Sequence, residues 1–178
     1  LLSETLSANV PEIVPPMPVV GLCLQQMRHP LLVLAQHSVV PNDIFLTEPK
    51  RGLIISGPNA GGKTVALSSL GLCVLMAQAG LPIPALSNSQ IPLFDGVGCV
   101  LKDKQDLGAG LSTFAGHLLA IKRLDEEVQG RALILIDELC AGTDPQEGAA
   151  LGAAWVQAFL DRGCTVGVST HLDGIKAL

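Results

Sequence analysis

The sequence predicts an α/β protein with a largely parallel central sheet flanked by helices. Three short runs carry this reading: Leu53-Ile54-Ile55-Ser56, Ala132-Leu133-Ile134-Leu135-Ile136 and residues 164–169. They are almost wholly apolar, as strands covered on both faces must be. Segments of helical periodicity lie between them, and strands alternating with helices build parallel sheets. At 178 residues and 18.5 kDa the chain has the length of one domain, enough to bury a core without disulfides or metal.

Each element has a local reason. Pro11, Pro15, Pro16 and Pro18 exclude a regular helix from the first twenty residues, which read as a linker or an entry strand within a proline-rich segment, residues 1–27, leading in from an upstream region. Residues 63–79 form a helix stopped by Gly80 and Pro82. Residues 91–94 and 97–101 read as two short strands, paired around Asp95-Gly96. Ser112 is a good N-cap for a helix with Phe114, Leu118, Ile121 and Val128 on one face, and Gly130 is placed to end it. Asp144, Pro145 and Glu147 mark the cap, first and third positions of the next helix, which runs to about Asp161.

Composition narrows the function classes. Eleven Lys+Arg against sixteen Asp+Glu give a net charge of −5, which argues against a broad basic nucleic-acid groove. Charged residues make up 15% against about 25% in an average domain, and mean hydropathy is +0.47, so disorder is excluded. Such a chain either crosses a membrane or has its surface covered by other domains or subunits. No charge occurs from Thr64 to Phe94, but the apolar part is short, carries Ser68, Ser69 and Gln78, and follows Gly-Lys-Thr; it reads as a buried core helix. No membrane contact is expected. A first residue of Leu suggests a fragment of a longer protein, and no basic-then-apolar secretory leader is read in this chain. The five scattered cysteines contain no Cys-x-x-Cys pair, and the four histidines show no metal-ligand spacing, so reduced thiols in a reducing compartment are expected.

Gly57-Pro58-Asn59-Ala60-Gly61-Gly62-Lys63-Thr64 fits G-x-x-x-x-G-K-[ST] between a strand and a helix. In that setting backbone N–H groups and a helix N-terminus cradle phosphates, Lys63 reaches the β- and γ-phosphates, and the Thr64 hydroxyl binds Mg²⁺. A phosphate chain with Mg²⁺ is therefore the expected ligand, and the family resemblance given below implies ATP. Asp137-Glu138 ends an apolar strand, which suits a metal-side acid at Asp137 and a base or water-positioning group at Glu138. His171 follows the last predicted strand, on the same sheet edge as Lys63 and Asp137. Ser112 serves equally well as a helix cap or as a site residue, and Gln105 in its loop says little by itself.

The order of phosphate loop, Gln105, Ser112 at a helix start, Asp137-Glu138 and His171 resembles the ATP-binding-cassette type of P-loop ATPase. Arg28-His29-Pro30, Pro41-Asn42-Asp43-Ile44, GPNAGGKT, LSTFAGH, DELCAGTDPQEGAAL and STH are similar to the MutS family. TDPQEGAAL, KTVAL and GLPIPA resemble its type II branch more than the mismatch-repair branch. The resemblance spans residues 28–178 as an ATPase domain and implies a homodimer in which Ser112 of one subunit faces the γ-phosphate held by the other. It also implies that Glu138, His171 and Gln105 serve hydrolysis. Branched or structured DNA, or stalled ribosomes, would be bound through regions outside this chain, in a bacterial cytoplasm or an organelle such as a plastid. Cys140 stands where the family usually has Gly, residues 100–104 where it has an acidic, Gly-containing stretch, and Gly110 where it has a polar residue. A transporter subunit would need an LSGGQ-type signature, which LSTFAGH is not. A nucleotide-dependent dimerisation switch with weak hydrolysis and a mismatch-repair MutS ATPase are the remaining rivals.

Overall fold

The computed structural model describes residues 2–15, 21–58, 61–101 and 113–172. Two compact units make up the chain, Leu1–Arg51 with Ser68–Phe94 and Gly52–Leu67 with Asp95–Leu178, where length alone suggests one domain.

The second unit holds the predicted parallel sheet. Strands β4 (Gly52–Ser56), β8 (Thr165–Thr170), β7 (Ala132–Ile136) and β6 (Gly96–Val100) lie side by side in the order β4-β8-β7-β6. Every pairing is parallel. All five residues of β7 are buried, which is why its sequence shows no polar alternation. Helix α4 (Thr113–Glu127) contributes Ile121 and Leu124 to the core, and α5 (Pro145–Asp161) contributes Val156 and Phe159. Asp144 caps α5 as its sequence requires, its carboxylate accepting from the Gln146 and Glu147 N–H groups. Arg162 joins the two helix ends, pairing with the Asp125 carboxylate while its guanidinium lies 5.0 Å from the Phe159 ring centre.

The first unit has a mixed sheet in the order β1-β5-β2-β3. It contains β1 (Glu12–Val14), β2 (Leu22–Met27), β3 (Asn42–Leu46) and β5 (Gln90–Pro92), with short helices α1 (Leu2–Leu6) and α2 (Pro30–Leu34). Only β1 and β5 run parallel; β2 runs antiparallel to both β5 and β3, with an irregularity between Leu24 and Met27. Leu22, Leu24, Met27, Ile44, Leu46, Ile83 and Ile91 are buried. His29 caps α2, its Nδ1 accepting from the Leu32 N–H, and Pro30 takes the first helical position. Residues 1–27 supply α1, β1 and β2, so position 27/28 falls inside this unit.

Helix α3 (Lys63–Gln78) starts in the second unit and belongs to the first from Ser68 onward. Leu67, Leu70, Cys73, Val74 and Ala77 are buried, as a core helix should have them. Among the described residues no helix is long and apolar enough to cross a membrane.

Two expectations need correction. A helix does form in the first twenty residues: α1 ends at Leu6, ahead of Pro11, so the prolines constrain only the chain beyond it. Strands β5 and β6 do not pair with each other. A hairpin would run them antiparallel, whereas β6 lies parallel to β7 from Gly96↔Ala132 to Val100↔Ile136, and β5 joins β1 and β2. Asp95 is instead a brace: its N–H donates to the Arg131 carbonyl and its carboxylate accepts from the Arg131 N–H.

Candidate functional site

Parallel strands all end at one edge of their sheet, and the second unit gathers its chemistry there. The register places Ser56 of β4 beside Thr170 of β8, and Ile136 of β7 between Val100 and Val168. The residues that come next in the chain, Gly57, Asp137 and His171, therefore leave the sheet at the same edge.

Ser56 ends β4 ahead of the glycine-rich segment that leads to α3. The Gly61 N–H donates to the Pro58 carbonyl at 3.0 Å, and Ala66 N–H to Gly62 O at 2.9 Å opens the helix. Gly62 has φ +79°, where a side chain is strained, and nothing stands within 4 Å of where a Cβ would be at Gly57 or Gly62. Lys63 is buried, its ammonium donating to the carbonyls of Gly57 at 2.7 Å and Pro58 at 2.9 Å. A cation, a helix N-terminus and open backbone at Gly57 and Gly62 thus lie close together, which fits a phosphate chain.

The second acid-bearing turn meets this one directly. The Thr64 hydroxyl donates to Asp137 Oδ2 at 2.6 Å, joining positions 73 residues apart. Asp137 is buried; its second carboxylate oxygen accepts from the Ser169 hydroxyl, and its N–H donates to Val100 O. A hydroxyl beside a buried carboxylate is an all-oxygen donor pair that fits Mg²⁺.

Glu138 and Cys140 both have left-handed backbone, φ +51° and +55°, and the Ala141 N–H closes the turn on the Glu138 carbonyl at 3.0 Å. Glu138 is half-buried at the exit of β7, next to Asp137 in the chain. Burial pushes the Cys140 thiol up to about 11, so it stays protonated at neutral pH. A Cβ at Gly148 would stand 2.9 Å from the Cys140 carbonyl, so the first turn of α5 approaches this backbone as closely as only glycine allows.

Lys63, Thr64, Asp137 and Glu138 are thus brought to one edge. His171 follows β8 at that edge with its side chain exposed. Asn59, Ala60, Gln105 and Ser112 lie outside the described residues. Sequence reasoning missed Ser169. A serine near a strand end carries no signal of its own, and its value comes only from the register that sets β8 against the exit of β7.

A parallel sheet flanked by helices, with a glycine loop opening a helix at its strand ends, is consistent with the fold of P-loop nucleoside triphosphatases. Residues 53–178 match the family described as MutS domain V. The chain belongs to the MutS family, and relatives named Endonuclease MutS2 support its type II branch. It is 45% identical to the protein named Endonuclease MutS2 of Anaeromyxobacter (strain Fw109-5), over all of this chain and 23% of that protein. The Endonuclease MutS2 of Aquifex aeolicus is 47% identical over 86% of this chain and 20% of its own length. That of Listeria welshimeri is 49% identical over 84% and 19%. The chain thus spans about a fifth of the length of these relatives.

Proposed function

We propose that this chain is the ATP-binding and ATP-hydrolysing domain of a type II MutS-like protein, built on the ATP-binding-cassette pattern. The observation that carries the reading is the Thr64–Asp137 hydrogen bond at 2.6 Å. It joins the phosphate loop to the acid-bearing strand as a nucleotide with its metal requires.

ATP is the substrate. The glycines of the loop offer backbone N–H groups, and Lys63 exchanges loop carbonyls for the β- and γ-phosphates. Thr64 and Asp137 hold Mg²⁺, which when bound neutralises charge on the phosphate oxygens. Glu138 accepts the proton of the attacking water, and His171 polarises the γ-phosphate region from the end of β8. Gln105 couples that region to the rest of the protein, and Ser112 completes the site of a second copy in a homodimer. These two roles rest on the family resemblance. ATP turnover then drives clamping on branched or structured DNA in recombination control or repair, or on stalled ribosomes, through regions outside this chain. The nuclease activity in the relatives' names belongs to such regions too.

Complementation in the full-length protein tests the shared site. Ser112→Arg and Lys63→Ala subunits should each be inactive alone. Mixed, they place both lesions in one site and leave the other sound, so partial ATPase activity should return. Constant monomer mass with ATP bound, with activity per subunit independent of concentration, would refute the homodimer.

A further inference from the structure

We infer that Ser169 is the positioning residue that aims both acids of the site, Asp137 and Glu138. The inference rests on the ATPase reading and assigns a role to a residue that the phosphate loop and the Asp-Glu pair leave out. Ser169 lies in β8, has no exposed surface, and sits one position beyond the Ile136↔Val168 pair, so it faces the exit of β7.

Its hydroxyl and carbonyl both bond to that exit. The hydroxyl donates its one proton to Asp137 Oδ1. With that proton spent, the oxygen can only accept, and it takes the Glu138 N–H at 2.8 Å. The Ser169 carbonyl accepts the Leu139 N–H at 2.9 Å. One residue of the neighbouring strand therefore holds three consecutive residues of the β7 exit.

Each bond has a distinct consequence. Asp137 receives two hydroxyl donors, Thr64 on one oxygen and Ser169 on the other, which together fix the plane of the carboxylate. Glu138 has left-handed backbone at φ +51°, which a non-glycine residue adopts only when its surroundings impose it. The Ser169 oxygen fixes the N–H of that residue, and with it the direction in which the Glu138 side chain leaves the turn. Removing the hydroxyl frees one oxygen of the metal-side acid and the backbone of the base at once. The Lys63 ammonium bonds to the Gly57 and Pro58 carbonyls, and Asp137 keeps its bond from Thr64, so nucleotide affinity should be spared more than rate.

The experiment compares Ser169→Ala and Ser169→Thr with wild type in the full-length protein, reading kcat, the Kd of Mg·ATP and the melting temperature. Ser169→Ala should lower kcat by roughly tenfold or more while Kd moves less than about threefold, because misaiming a reactive group costs rate rather than binding. Ser169→Thr keeps the hydroxyl and should recover kcat to within about threefold of wild type. If the added methyl prevents folding, the split between kcat and Kd in Ser169→Ala decides alone. A Ser169→Ala kcat within about twofold of wild type overturns the inference, as does a parallel loss of kcat, binding and melting temperature. Absence of turnover in the wild type would instead sink the ATPase reading, and this inference with it.

Discussion

The two sheets of this chain have the same number of strands and opposite capacities for chemistry. In the parallel sheet β4-β8-β7-β6 every strand ends at the same edge, so Gly57, Asp137 and His171 emerge together. In the sheet β1-β5-β2-β3, strand β2 runs against both its neighbours, and successive loops leave from opposite ends. Its polar side chains serve structure instead: the Gln90 amide donates to Glu12, and the Ser89 hydroxyl accepts from the Gln25 N–H. Direction of the strands, more than composition, decides which sheet can assemble a site.

The largest expected effect is at the exit of β7. Glu138→Gln fills the same space but cannot accept the proton of water, so turnover should fall on the order of 10²-fold or more with ATP binding retained. Steady-state hydrolysis beside equilibrium binding checks this. Turnover at the wild-type rate would move the base elsewhere, with His171 the next candidate on that edge.

Stability should separate the sheets next. Ile134 lies fully buried in the middle of β7, and Ile134→Ala should cost about 2–5 kcal/mol in urea unfolding. Phe45 in the edge strand β3 is 59% exposed, and Phe45→Ala should cost less than about 1 kcal/mol. Equal losses would mean that β3 is covered in the folded protein.

Legibility followed the same division. Strand β7 announces itself because burial on both faces removes every polar residue from it, and Asp144-Pro145 marks the start of α5 by capping chemistry alone. Lys63, Thr64, Asp137 and Glu138 could be read because spacing and context define them. Strands β2 and β3 could not, and β1 only as one of two readings, linker or entry strand. They are short, half-buried and irregular, with Gln25 and Gln26 inside β2 and left-handed backbone at Gln26. The partner of β6 was equally hidden, since pairing is set by tertiary register and not by the Asp95-Gly96 turn signal. Ser169 is visible only once β8 is laid beside β7.

The smallest expected effect concerns thiols. Burial pushes Cys73 up to about 12 and Cys140 up to about 11, whereas Cys99 on β6 is exposed. At neutral pH a thiol reagent should modify Cys99 quickly, and Cys73 and Cys140 only as fast as the fold opens. The linked stability is fully present below pH 9.0, the ordinary thiol value, and declines as pH rises toward 11, because only the unfolded chain ionises there. Labelling rates at pH 7 and 9, with urea midpoints across that range, check both parts.

The claim that the parallel-sheet edge binds nucleotide is tested most directly by titrating Mg·ATP against wild type and Lys63→Ala at equilibrium. Loss of the buried ammonium should weaken binding at least about tenfold, roughly 1.4 kcal/mol. Equal affinities would contradict the assignment of residues 57–64 as the phosphate site.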